Sequence, residues 1–163
     1  MPNFKNNLDA FAVGRRVNSE EWNAFTGNFE AANDAARLGF GVPVMSNGTT
    51  GRDGVAEVDG TTGRTFLGVT EAMPTLPRVG DGYARYDEVP VLEWGVLGVE
   101  IAGNTTRGGQ ARWDTVNKAW TGAAQSATVV TIPGVTFDEA ATAPGTGPIR
   151  IRKVANPALT VSG

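Results

Sequence analysis

Carboxylates come closest to a reactive constellation in this chain. Asp87, Glu88 and Glu93 fall within one short run, and Asp138 adjoins Glu139. A glycosidase needs two such groups facing each other across a cleft. Neighbouring residues on a strand point to opposite faces, so a solvated acidic segment is the expected role. The run GRDGVAEVDG sets Asp53 and Asp59 among glycines, but follows neither EF-hand spacing nor the calcium-binding nonapeptide repeat, and ordinary turns account for it. GTTGRDG lacks the Gly-Lys-Ser/Thr of a phosphate loop. Asn47-Gly48-Thr49 and Asn104-Thr105-Thr106 spell the glycosylation pattern, which without a secretory signal is read as chance. The 163 residues include no histidine and no cysteine. That removes a Cys/His nucleophile, a zinc centre of the usual ligands and a disulfide framework. The residues therefore predict no catalytic site, no cofactor and no metal.

The aromatic residues offer a different chemistry. Trp22, Trp94, Trp113 and Trp120 are able to stack on sugars or to anchor a protein interface. Filling a β core is the plainer role, and the one expected for Trp113 and Trp120. Arg150, Arg152 and Lys153 close the chain with a basic run that suits an acidic partner surface or a solvated strand face. With a net charge of −3, the protein lacks the basic balance that nucleic acid requires.

The elements that must carry these residues are short. Twenty-two glycines and turn dipeptides such as Asn47-Gly48, Asp53-Gly54 and Asp59-Gly60 punctuate the chain from residue 40 onward. FGVPVM, VAEV, RTFLGVTEA, ATVVTI and IRIRKVA read as strands between them. In the last, Ile149 and Ile151 share one face while Arg150 and Arg152 share the other, the pattern of an edge strand. QARWDTVNKAWT reads as a hairpin that pairs Trp113 with Trp120. Residues 1–38 differ, with Phe4, Phe11, Trp22, Phe25 and Phe29. There NSEEWNAF begins with helix-capping residues, and EAANDAARL spaces Ala31, Ala35 and Leu38 as a second short helix would. The expectation is a partly helical N-terminal arm or cap over residues 1–38, followed by an all-β jelly-roll or barrel-like sandwich over 39–163. The N-terminus shows no signal peptide and no segment able to span a bilayer, which predicts a protein made in the cytosol with no membrane partner.

VPVLEWGVLGVEI, residues 89–101, is apolar on both faces. Val89, Val91, Leu97, Val99 and Ile101 share one, and Leu92, Trp94 and Val96 share the other. A one-sided sheet would alternate apolar with polar. Each face therefore needs an apolar neighbour, in its own fold or on another molecule. The strand is long for one element, and Gly95 and Gly98 suggest a bulge that divides it.

Taken in order, LGFGVPV, RTFLGVTEA, GYARYDEVPVLEWGVLGVEI and GGQARWDTVNKAWT resemble the structural cement proteins that decorate the heads of tailed bacteriophages. The resemblance covers about two-thirds of the chain, and residues 1–38 match it less clearly. It implies an all-β domain that forms dimers or trimers on the outer head surface, bridges neighbouring major capsid subunits and has no catalytic residues. It also implies that one face of 89–101 packs inside the domain and the other against a sister subunit or the shell. The residues expected at such contacts are Phe4, Phe11, Trp22, Phe25, Trp94, Arg150 and Arg152. The alternative is a carbohydrate- or receptor-binding β module.

Overall fold

The computed structural model describes residues 13–17, 21–47, 54–72, 82–154 and 158–159. Among them are nine strands and no helix: β1 Asn23–Phe29, β2 Pro43–Ser46, β3 Gly54–Glu57, β4 Phe66–Thr70, β5 Glu88–Ile101, β6 Gln110–Asp114, β7 Ala119–Thr121, β8 Val129–Phe137 and β9 Gly145–Arg152. Their pairing closes twice. One ring runs β1-β3-β2-β4-β5 and returns from β5 to β1; the other runs β5-β7-β6-β8-β9 and returns from β9 to β5. Strand β5 belongs to both, so the barrel expected from the sequence is present as two small closed walls on one shared stave.

The sharing is visible residue by residue. The first half of β5 pairs antiparallel with β1, from Glu88↔Asn28 to Trp94↔Asn23. The second half pairs antiparallel with β9, from Trp94↔Arg152 to Ile101↔Gly145. Trp94 is paired on both edges and marks the handover. Past that point, the edge that β1 leaves is taken by residues 14–17. Gly14 N donates to Gly98 O (2.8 Å), Gly98 N to Arg15 O (2.8 Å) and Val17 N to Val96 O (3.0 Å). No bulge divides β5 at Gly95 or Gly98; the register against β9 is unbroken there. The irregularity lies at Glu93, where Asn23 and Ala24 face Trp94 and Leu92.

This arrangement answers the doubly apolar strand. On either side of the irregularity at Glu93, the consecutive pairs Val91–Leu92 and Val96–Leu97 are buried, as are Val89 and Val99. Both faces of β5 find their cover within the chain's own rings, and one hydrophobic cluster runs through the two walls. Only Trp94, 39% exposed, is left over. The expected surplus of apolar strand surface is mostly consumed by the second ring.

The hairpin of β6 and β7 sets Trp113 opposite Trp120, as their spacing predicts, with ring centres 5.7 Å apart. Both are buried, and Trp120 Nε1 donates to Gly41 O (2.7 Å). Strand β9 is not the edge that its alternating Ile and Arg suggested, since β5 and β8 flank it.

The helical cap is a correction. Residues 23–29 form β1, which lies along β5; residues 30–37 are irregular around a turn at 32–35, and Leu38 bridges Tyr83. The Asn33 side chain accepts from the backbone N–H groups of Ala35 and Ala36, both at 3.0 Å. That local bond competes with a helical turn. In β1, Gly27 is a poor helix former, and Phe25 and Phe29 suit a pleated surface. Pairing with β5 then overrides the capping pattern, whose first residues, 18–20, lie outside the described ones.

Candidate functional site

The handover at Trp94 gathers residues remote in sequence. Trp22 immediately precedes β1, Trp94 sits mid-β5, and Lys153 and Val154 follow β9. They line a groove of about 450 Å³ together with Glu21, Asn23 and Glu93. Trp22, Trp94 and Val154 are among the chain's exposed large apolar side chains, at 51%, 39% and 59%.

Cations brace the aromatic walls. The Arg16 guanidinium carbon lies 3.3 Å from the Trp22 ring centre, and that of Arg152 lies 4.3 Å from the Trp94 ring centre. Lys153 Nζ is 6.0 Å from the Phe25 ring, at the outer limit of such an attraction. In the same lining, Lys153 Nζ meets Glu93 Oε1 at 2.5 Å, and Asn23 Nδ2 donates to Glu93 Oε2 at 3.1 Å. Behind Trp22, Arg16 binds Glu71 through both its Nε (2.5 Å) and Nη2 (3.0 Å). The groove thus combines indole surface with two internal ion pairs, Lys153–Glu93 and Arg16–Glu71, beside the exposed Glu21.

Of the residues expected at contacts, Trp22, Trp94 and Arg152 meet here, with Phe25 beside them, partly buried against the core. Arg150 is elsewhere, bound to both Asp138 carboxylate oxygens at 2.8 and 3.1 Å. Phe4 and Phe11 lie outside the described residues. Arg16, Asn23 and Glu71 carried no local sign of their part. Arg16 and Glu71 stand 55 positions apart and meet only because residues 14–17 are laid along β5.

Glu88 and Glu139 are exposed, and the other described acidic candidates have structural duties. Asp87 accepts from Ala84 N (2.8 Å), Asp138 serves Arg150, and Asp59 accepts from Thr61 N (2.9 Å) in a turn. Asp53 lies outside the described residues. No group of three His, Cys, Asp or Glu able to hold a metal occurs among the described residues. Nor is any helix there long and apolar enough to cross a membrane.

The comparison with curated proteins found no match. Among solved structures, a chain of "The capsid of Myoviridae Phage XM1" superposes with a TM-score of 0.69 at 14% identity, over 87% of this chain and 90% of that one. At this identity the likeness is one of fold. A family model described as "Structural cement protein (E217 gp24/Pam3 gp6)" matches residues 2–152. With nearly its whole length matched, the chain belongs to the structural cement protein family.

Proposed function

We propose that the protein binds the outer surface of a phage head, bridges neighbouring major capsid subunits as a small homo-oligomer and so stabilises the shell. The observation that supports this reading beyond family membership is the groove. Trp and Arg are the residue types most enriched among interface hot spots, and here they cluster around a concavity on a rigid closed wall. A contact of standard size buries about 1,200–2,000 Å² in total. Joining several weak contacts in one oligomer raises avidity by about 10²–10⁴. Because the ligand binds only assembled shell, it favours that state by mass action. In this reading the protein reaches the virion by assembly in the host cytoplasm.

Mixing the purified protein with undecorated, expanded heads and measuring co-sedimentation tests the proposal. Saturable binding at micromolar concentration or below is expected, and no binding well above it would refute the reading. A second reading rests on the same groove, because two tryptophans beside Asn23 and Glu93 also resemble the lining of a saccharide subsite. Selective binding on a glycan array, without head binding, would favour that module.

A further inference from the structure

Trp22 stands half exposed before the first strand, yet its ring is held. The Arg16 guanidinium carbon lies over it, 3.3 Å from the ring centre. Arg16 in turn is gripped by both carboxylate oxygens of Glu71, whose side chain is only 9% exposed. Glu71 is fixed on its own account. Its N–H donates to Pro90 O (2.9 Å), and its carbonyl oxygen accepts from the hydroxyl of the fully buried Tyr83. The backbone carrying Arg16 is equally constrained. Ala72 N donates to Gly14 O (2.7 Å), and a Cβ on Gly14 would stand 2.8 Å from Ala72 N and from Phe40 Cβ. A chain of contacts therefore runs Tyr83–Glu71–Arg16–Trp22, from the core to the groove wall.

We propose that Arg16 and Glu71 are positioning residues for docking on the phage shell, the surface that membership of the cement family points to: Glu71 orients the guanidinium, and the guanidinium fixes the Trp22 ring in the attitude that the capsid surface meets. The proposal rests on the groove being the docking face. Its physical basis is preorganisation. A side chain ordered before contact loses less freedom on binding, so more of the contact energy appears as affinity. A planar guanidinium suits this duty, because it can hold a carboxylate bidentately and stack on a ring at once; an ammonium cannot do both. The simpler alternative gives Arg16 only the task of neutralising a poorly solvated carboxylate. In that case Lys at position 16 would serve as well, and Gln at position 71 would leave docking unchanged.

The test compares Glu71→Gln, Arg16→Lys and Trp22→Ala in the full chain. Affinity for undecorated heads is measured beside the thermal midpoint. Acrylamide quenching of Trp22 is read in a Trp94→Phe background, where the other two tryptophans are buried. Expected are a loss of head affinity of about tenfold or more for both Glu71→Gln and Arg16→Lys, greater quenching of Trp22, and no further loss when either is combined with Trp22→Ala. Should Glu71→Gln fail to fold, Arg16→Lys carries the test, since that side chain is partly solvated. If Trp22→Ala weakens docking while Arg16→Lys and Glu71→Gln dock as wild type, the proposal is overturned and the docking face stands. If Trp22→Ala and Trp94→Ala both dock as wild type, the face itself is wrong and the proposal falls with it.

Discussion

Replacing Trp94 with alanine separates the fold from its attachment. The residue is 39% exposed, so roughly three-fifths of its surface is covered by the chain. A buried tryptophan covers about 150–250 Å², which leaves roughly 90–150 Å² at stake. At about 25 cal/mol per Å² this is about 2–4 kcal/mol; a compact unfolded state trims it by about 10–40%. A domain's stability is about 5–15 kcal/mol, so Trp94→Ala should stay folded with a lower denaturation midpoint. Docking should suffer more. Truncating a hot-spot residue removes about 2 kcal/mol or more per contact, which is about thirtyfold. In a particle held at two sites, both contacts weaken, and the loss multiplies toward about 10³. Ile132→Ala supplies the control. Ile132 is fully buried in β8, away from the groove, and its truncation lowers stability by about 2–5 kcal/mol. Guanidinium denaturation gives the stability of each variant, and co-sedimentation with undecorated heads gives its affinity. The reasoning is refuted if Trp94→Ala docks with wild-type affinity, or if Ile132→Ala loses as much per folded molecule.

Further outcomes follow from other parts of the structure. Gly68→Ala should lower stability by about 3 kcal/mol or more, because a Cβ there would stand 2.5 Å from Leu92 O and φ is +149°; chemical denaturation would measure it. Asp114 is held below its ordinary pKa of 3.8, chiefly by the Asn117 N–H, with the Asn117 side chain and the Val116 N–H adding to it against an opposing effect of burial. A carboxyl lowered on folding contributes stability that is complete above its unfolded pKa and disappears as pH falls through the folded one. The difference in thermal midpoint between wild type and Asp114→Asn should therefore hold steady from neutral pH to about 5 and shrink below about 4. With Glu93 met by Lys153 and Glu71 by Arg16, head affinity should change less than about threefold between low and high salt; a steep fall in a salt series would show that charge, not indole surface, carries the contact.

Local chemistry in the sequence was readable where partners are near. Trp113 and Trp120 flank one turn, and Asp114 caps it by accepting from Val116 and Asn117 N–H groups, both at 2.9 Å. Period and turn residues suffice for such a hairpin. The all-β class and the apolar length of β5 were legible for the same reason. Residues 23–29 were not, because Asn18, Ser19 and Glu21 imitate a helix start while the decisive partner, 88–94, lies sixty or more positions away. The role of β5 also escaped the sequence, since an apolar face looks the same whether a second ring or another molecule covers it. Trp22, Trp94 and Arg152 could be suspected from residue type. The brace of Trp22 by Arg16 and Glu71 could not, because no spacing rule links an arginine bridged to Leu97 with a glutamate 55 positions on.

The common stave has a further consequence for how this protein can be divided. A break at Trp94, where the two halves of β5 meet, opens two walls at once, so neither ring can be excised, duplicated or grafted as a unit without cutting the strand that the other needs. Engineering or natural recombination must treat both barrels as one heritable block, with new material admitted at the loops around them.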